Sequence, residues 1–336
     1  MSSNNTGYNV AVSVSRVLAM FMIIICHIGS ATGNSAIGQL FQMGVQVFLF
    51  ISGYLYSNKD INNTNRWLWG RFVKICIPCY LFILGAAAVN TFLGNHFSWV
   101  MLILGVFNLE GYHHIFNKMY YIPAIPGTAH LWFITALMIC YLLTIFVKRK
   151  PVSLKYLMIF LSVGIVLGFF GIRLDYFWIY FVGYLYGKSC KKISGKKYAL
   201  VCLAAIGAGI LRMIVKGYCD INGENNFYLF VVIPFVYNVL AIWIFTTIEL
   251  LVNIRIISEV IVNTPISKVI VWIDGISFYV FITHYIFIDE PLRILGLTQY
   301  SFLNAILLTI AIISVSILLK KISSDIGKKI YIRLGG

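Results

Sequence analysis

Acidic residues are scarce in this chain. Eleven Asp and Glu stand against 26 Lys and Arg, and charged residues of either sign fill only 11% of the 336 positions. A soluble domain carries about a quarter charged residues, so that class is excluded. No long linker, internal repeat or soluble terminal domain can be read from the sequence. A cleavable leader is not expected either, because the N-terminal tail lacks a basic region and Arg16 interrupts what would be its apolar core. Seven cysteines, several of them inside apolar runs, read as small membrane hydrophobes rather than as a disulfide framework. Cys76-Ile-Pro-Cys79 has the spacing of a redox motif but no thioredoxin-like context, which favours packing.

What the chain has in abundance is apolar sequence: 60% of residues are hydrophobic and mean hydropathy is +0.88. The expected fold is all-α, a polytopic membrane helix bundle forming a single domain over residues 1–336. About ten spans are expected, near 10–31, 38–57, 72–94, 129–147, 154–171, 174–189, 198–216, 227–250, 266–288 and 301–319. With both termini cytoplasmic, 20 cations fall in inner stretches and five (Lys118, Arg173, Arg212, Lys216, Arg293) in outer ones, leaving Arg16 in the membrane. This placement explains the net charge of +15 as a topology signal and argues against nucleic acid as a partner. Counting 97–107 as another span would throw Lys148, Arg149 and Lys150 outside, so 95–128 is read as an outer loop with a short interfacial or re-entrant piece.

Ionisable residues at membrane depth are functional candidates. Arg16 and His27 are eleven residues apart in the first span, which puts them about 20° apart around a helix and about 16 Å apart along it. A snorkelling arginine and a hydrogen-bonded core histidine are the plainer alternative. All six histidines map to the outer loop or outer halves of spans; His96, His113 and His114 read as interfacial, whereas His27, His130 and His284 converge toward the outer side. A neutral imidazole there suits proton transfer near pH 7. No metal is expected, since His113-His114 lacks a third ligand at recognisable spacing. On the inner side Lys59, Arg66, Arg71 and Lys74 cluster between the second and third spans, suited to phosphate groups, although orientation bias alone explains most such charges. Asp274 lies about as deep as Arg16 and is a candidate partner for it, with Glu249 the competitor.

These residues resemble the acyltransferase 3 family of bacterial membrane O-acyltransferases. Arg16 and His27 match its Arg-x10-His signature, and Gly44 through Leu55 resembles its second-span pattern ending Ser-Gly-Phe/Tyr-Leu. Arg66 through Pro78 resembles the basic stretch and proline that open its third span, with Arg71-Phe-Val-Lys74 where the family favours Arg-x-x-Arg. Lysine there loses the bidentate fork. His130-Leu-Trp-Phe133 and Tyr279 through His284 resemble its two later histidine motifs.

The resemblance implies a multi-pass protein of the bacterial cytoplasmic membrane, embedded in the lipid bilayer, that transfers an acyl group, commonly acetyl. The donor would be cytosolic acetyl-CoA or another acyl-CoA, with no tightly bound cofactor, and the acceptor a hydroxyl of a surface glycan or its lipid-linked precursor. It implies catalytic roles for His27 and Arg16, donor binding by Arg66, Arg71 and Lys74, and support from Ser52, His130, Trp132, Asp274 and His284. The spacing of Arg16 and His27 is close to the length of an extended pantetheine arm. Larger relatives carry a further soluble domain; here the chain continues seventeen residues past the last expected span, so the membrane domain is expected to act alone or with a separate partner. Polysaccharide export is the alternative reading. Against it, the chain shows no paired halves of the kind many transporters have.

Overall fold

The computed structural model describes residues 10–107, 109, 124–149, 153–189, 193–223, 227–254 and 264–333. His113, His114, Lys118, Cys190 and the basic residues Lys150, Lys191, Lys192 and Arg255 lie outside the described residues. Among the described residues the chain is helical and has no strand. The helices are α1 (Val10–Ala31), α2 (Ser35–Phe41), α3 (Gly44–Ser57), α4 (Thr64–Phe92), α5 (Trp99–Val106), α6 (Trp132–Arg149) and α7 (Leu154–Phe169). They continue with α8 (Asp175–Lys188), α9 (Gly195–Asn222), α10 (Ile233–Asn253), α11 (Pro265–Thr283), α12 (Tyr285–Ile288) and α13 (Ser301–Arg333). Short 3-10 turns cover Ala129–Leu131 and Ile294–Gly296, and a π-helical turn, Tyr228–Val232, leads into α10.

Eight helical stretches among the described residues are long and apolar enough to cross a bilayer. Two of the expected spans, near 154–171 and 174–189, are the shorter helices α7 and α8, of 16 and 14 residues. The expected second span is α2 followed by α3, which are separated at Gln42–Met43. Within the 95–128 loop, α5 is eight residues long and packs on α4. The protein is thus a multi-pass, all-α membrane bundle.

Polar residues set where the helices begin. The Asn63 side chain accepts from the Arg66 backbone N–H at 2.9 Å to start α4, and Thr264 does the same for Ile266 at α11, where Pro265 fits the first turn. At the centre α1 packs against α3, α10 and α11, while α13 lies along α4 and α11. The closest approach is between α3 and α8. A Cβ at Gly53 would stand 1.9 Å from the Tyr180 carbonyl oxygen, and one at Gly183 would stand 2.0 Å from that of Phe50. Only glycine permits two helix backbones to meet this way, and van der Waals packing is what joins helices in lipid. α9 lies at the rim, where Leu203, Met213 and Ile221 are exposed as lipid-facing residues would be.

Candidate active site: a basic cavity below a histidine cluster

α4 presents its polar residues at helical spacing: Arg66, Gly70, Arg71, Lys74 and Pro78 all face one cavity of about 1120 Å³. Lys59 reaches it from the loop after α3, Arg16 from α1, and Asp274 from α11. The fourth wall is the far end of α13, through Ser324, Gly327, Lys328 and Tyr331. Six cations and two carboxylates, Asp60 and Asp274, therefore line the same space.

The cations are not equivalent. Arg16 Nη2 lies 2.7 Å from Asp274 Oδ2, which also accepts from Ser13 Oγ at 2.7 Å, so the arginine's charge is matched by its own partner. Glu249, the competing carboxylate, accepts instead from Tyr186 Oη. Arg71 Nη1 donates to Tyr56 Oη at 2.5 Å, and Arg66 Nε donates to Tyr331 Oη at 3.1 Å. Among the described residues neither of those arginines is paired with a carboxylate, which leaves their charge for an incoming anion. Several buried polar atoms at the wall have no partner among the described residues: Arg16 Nε, Arg71 Nε, Trp67 Nε1 and Asp274 Oδ1. Orphaned buried donors cost stability unless a ligand or water meets them. Ser52 also faces the cavity, its hydroxyl donating to the Phe48 carbonyl at 2.8 Å one turn back.

Further along α1, beyond the cavity, three imidazoles and a phenol converge. Ring centroids of His27 lie 5.1 Å from His284, 6.3 Å from His130 and 4.7 Å from Tyr285; His130 and His284 are 4.9 Å apart. Each flanking histidine is fixed by main-chain carbonyls. His284 follows the last residue of α11, and its Nδ1–H donates back to the Phe281 carbonyl at 2.7 Å, one of the acceptors a helix end leaves open. His130 Nε2–H donates to the Ile282 carbonyl at 3.0 Å. A carbonyl only accepts, so these bonds set the tautomers and leave His130 Nδ1 and His284 Nε2 as acceptor lone pairs; both are buried and unpartnered among the described residues.

The loop carrying His130 reaches this position because Gly127, at φ +90°, presses against Ile286 of α12; a Cβ there would sit 2.8 Å from the Ile286 side chain. Tyr285 Oη donates to Asp289 Oδ2 at 2.8 Å. Trp132 turns away from the imidazoles, its ring 4.9 Å from Tyr176, and His96 is exposed outside the cluster. Among the described residues no group of three or more His, Cys, Asp or Glu is arranged to hold a metal.

The site thus has two centres, a cation-lined chamber and an imidazole cluster. The family model of an acyltransferase domain matches residues 9–321, which takes in both centres except the last three turns of α13. The chain belongs to the acyltransferase 3 family. Comparison with curated proteins and with solved structures gives no match. In this acyltransferase, α13 is the part of the site that reading the sequence missed. Lys328 falls among the inner cations past the expected last span at 301–319, yet the helix runs on and carries Lys328 and Tyr331 into the cavity wall. The usable signal is Ser324, Gly327, Lys328 and Tyr331 at helical spacing.

Proposed function

We propose that this acyltransferase moves acetyl from cytosolic acetyl-CoA to a hydroxyl of a cell-surface polysaccharide or its lipid-linked precursor, at the cytoplasmic membrane of a bacterium. The observation that carries the donor half is the cavity in which Lys59, Arg66, Arg71, Lys74 and Lys328 meet, since phosphate-bearing donors are held by such clusters. With that mouth on the cytosolic side, the pantetheine arm would run along α1 past Arg16 toward the histidines. Arg16, matched by Asp274, acts as an oriented hydrogen-bond donor on this path rather than as a bare cation.

At the cluster, His27 takes the acceptor's proton while the hydroxyl oxygen attacks the thioester carbonyl carbon. The carbon–sulfur bond breaks as the carbon–oxygen bond forms, and the proton passes from His27 to the leaving thiolate, giving an ester and free CoA thiol. In the covalent variant the acyl group first rests on His27 as an acyl-imidazole, which the hydroxyl then opens. His130 and His284, held in fixed tautomers, orient the His27 ring in either route.

The test is transfer of labelled acetyl from acetyl-CoA to envelope glycan by the purified protein in lipid, wild type beside His27→Ala. Wild-type labelling that the variant loses supports the reading. Neither transfer nor thioester cleavage by the wild type overturns the donor, and unchanged labelling by His27→Ala overturns the histidine's role.

A further inference from the structure

Three aromatic rings of the cavity lining stand beside the histidine cluster. At the cavity's inner end stand Phe48 of α3, Phe133 of α6 and Phe281 of α11, all three part of its lining. Their ring centroids form a closed triangle with sides of 5.1, 6.1 and 6.4 Å. These are ordinary aromatic packing separations, which leave no opening between the rings. The far face of the triangle touches the chemistry: the Phe281 ring lies 5.5 Å from that of His130 and 5.9 Å from that of His284.

The three rings are not held alike. Phe133 and Phe281 are each 3% exposed and sit in the core, and the main-chain carbonyl of Phe281 is held by the His284 imidazole. Phe48 also lines the cavity but is only partly buried, so of the three it is the ring least enclosed by neighbours. A swing of one phenyl clears about the width of a small group, and each further methylene in the acyl chain would have to be housed among packed rings. One methylene of misfit in an apolar pocket slows a reaction by about tenfold or more.

We propose that Phe48, Phe133 and Phe281 form an acyl-size filter between the donor cavity and the histidines, admitting a short acyl group and excluding longer ones. The filter rests on the acyl-CoA reading of the cavity. It assigns the choice of acyl group to three side chains outside both the cationic wall and the imidazole cluster.

The experiment uses the full-length protein in lipid, with acetyl-, butyryl- and hexanoyl-CoA as probes and release of free CoA thiol as the rate. Binding of unacylated CoA to the wild type is measured alongside. The wild type is expected to slow by about tenfold or more already from acetyl- to butyryl-CoA and further to hexanoyl-CoA, and Phe48→Ala to shrink the acetyl-to-butyryl ratio to about threefold or less. Phe48→Leu, which conserves packing, gives an intermediate ratio and serves if the alanine variant fails to fold. An unchanged chain-length profile in both variants, with CoA binding by the wild type intact, overturns the filter and leaves the donor reading standing. Failure of the wild type to bind CoA overturns the donor reading and the filter with it.

Discussion

Arg16 on α1 and Asp274 on α11 are joined by a 2.7 Å ion pair, and Ser13 one turn earlier shares the same carboxylate oxygen. The pair ties the first helix of the bundle to one of the last, at the wall of the basic cavity. Removing either partner strands the other in a poorly hydrated place, whereas removing both does not. Arg16→Ala and Asp274→Ala are therefore each expected to lower thermal stability in detergent. The double variant should recover part of the loss, with a coupling of about 1 kcal/mol or more. Additive losses would mean that the two side chains act independently.

The cationic wall and the imidazole cluster should separate kinetically. Lys328→Ala and Arg66→Ala are expected to raise KM for acyl-CoA with kcat little changed, because both residues face the cavity and neither touches the histidines. Added salt should weaken donor binding by the wild type more than by these variants. A fall in kcat at constant KM would move the residues out of the donor wall.

The flanking histidines should behave the other way. His130→Ala and His284→Ala are expected to lower kcat by about tenfold or more with KM for acyl-CoA preserved, since their rings pack around that of His27 and do not line the cavity. Asparagine at 130, which can still donate to the Ile282 carbonyl, should retain the fold while staying slow. Full activity in both alanine variants would assign His27 to work alone.

The α3–α8 contact makes a prediction about folding. Gly183→Ala and Gly53→Ala would place a methyl group about 2 Å from a main-chain oxygen, so each is expected to cost about 1–3 kcal/mol or to abolish a monodisperse preparation. Gly85→Ala and Gly207→Ala, where a Cβ would meet nothing within 4 Å, are the matched controls. Size-exclusion profiles and melting temperatures decide it; equal behaviour of all four would show that the helices part easily.

Most of the bundle was legible because long apolar runs in a chain with so few charges have one physical solution. Arg16 and Asp274 could be paired by depth alone, and the structure brings them together. What could not be read has identifiable causes. α8 coincides with the span expected near 174–189, but its glycine contact with α3 joins distant segments, which hydropathy does not report. The lower wall of the cavity was hidden because α13 passes from apolar to polar turns without breaking, so its cations looked like an orientation signal. The triangle of Phe48, Phe133 and Phe281 was invisible for a third reason: each is one phenylalanine among 25, and only their meeting gives them meaning.

The length of α13 has a consequence for how the site is loaded. Thirty-three residues span about 50 Å, against about 30 Å for the hydrocarbon layer of a bilayer, so its polar final turns stand well clear of the lipid. Lys328 and Tyr331 belong to those turns. The chamber wall they form is therefore built from the part of the helix that the hydrocarbon layer does not use. A charged molecule is expected to meet that wall from water, so its binding should depend little on the thickness of the bilayer around the bundle.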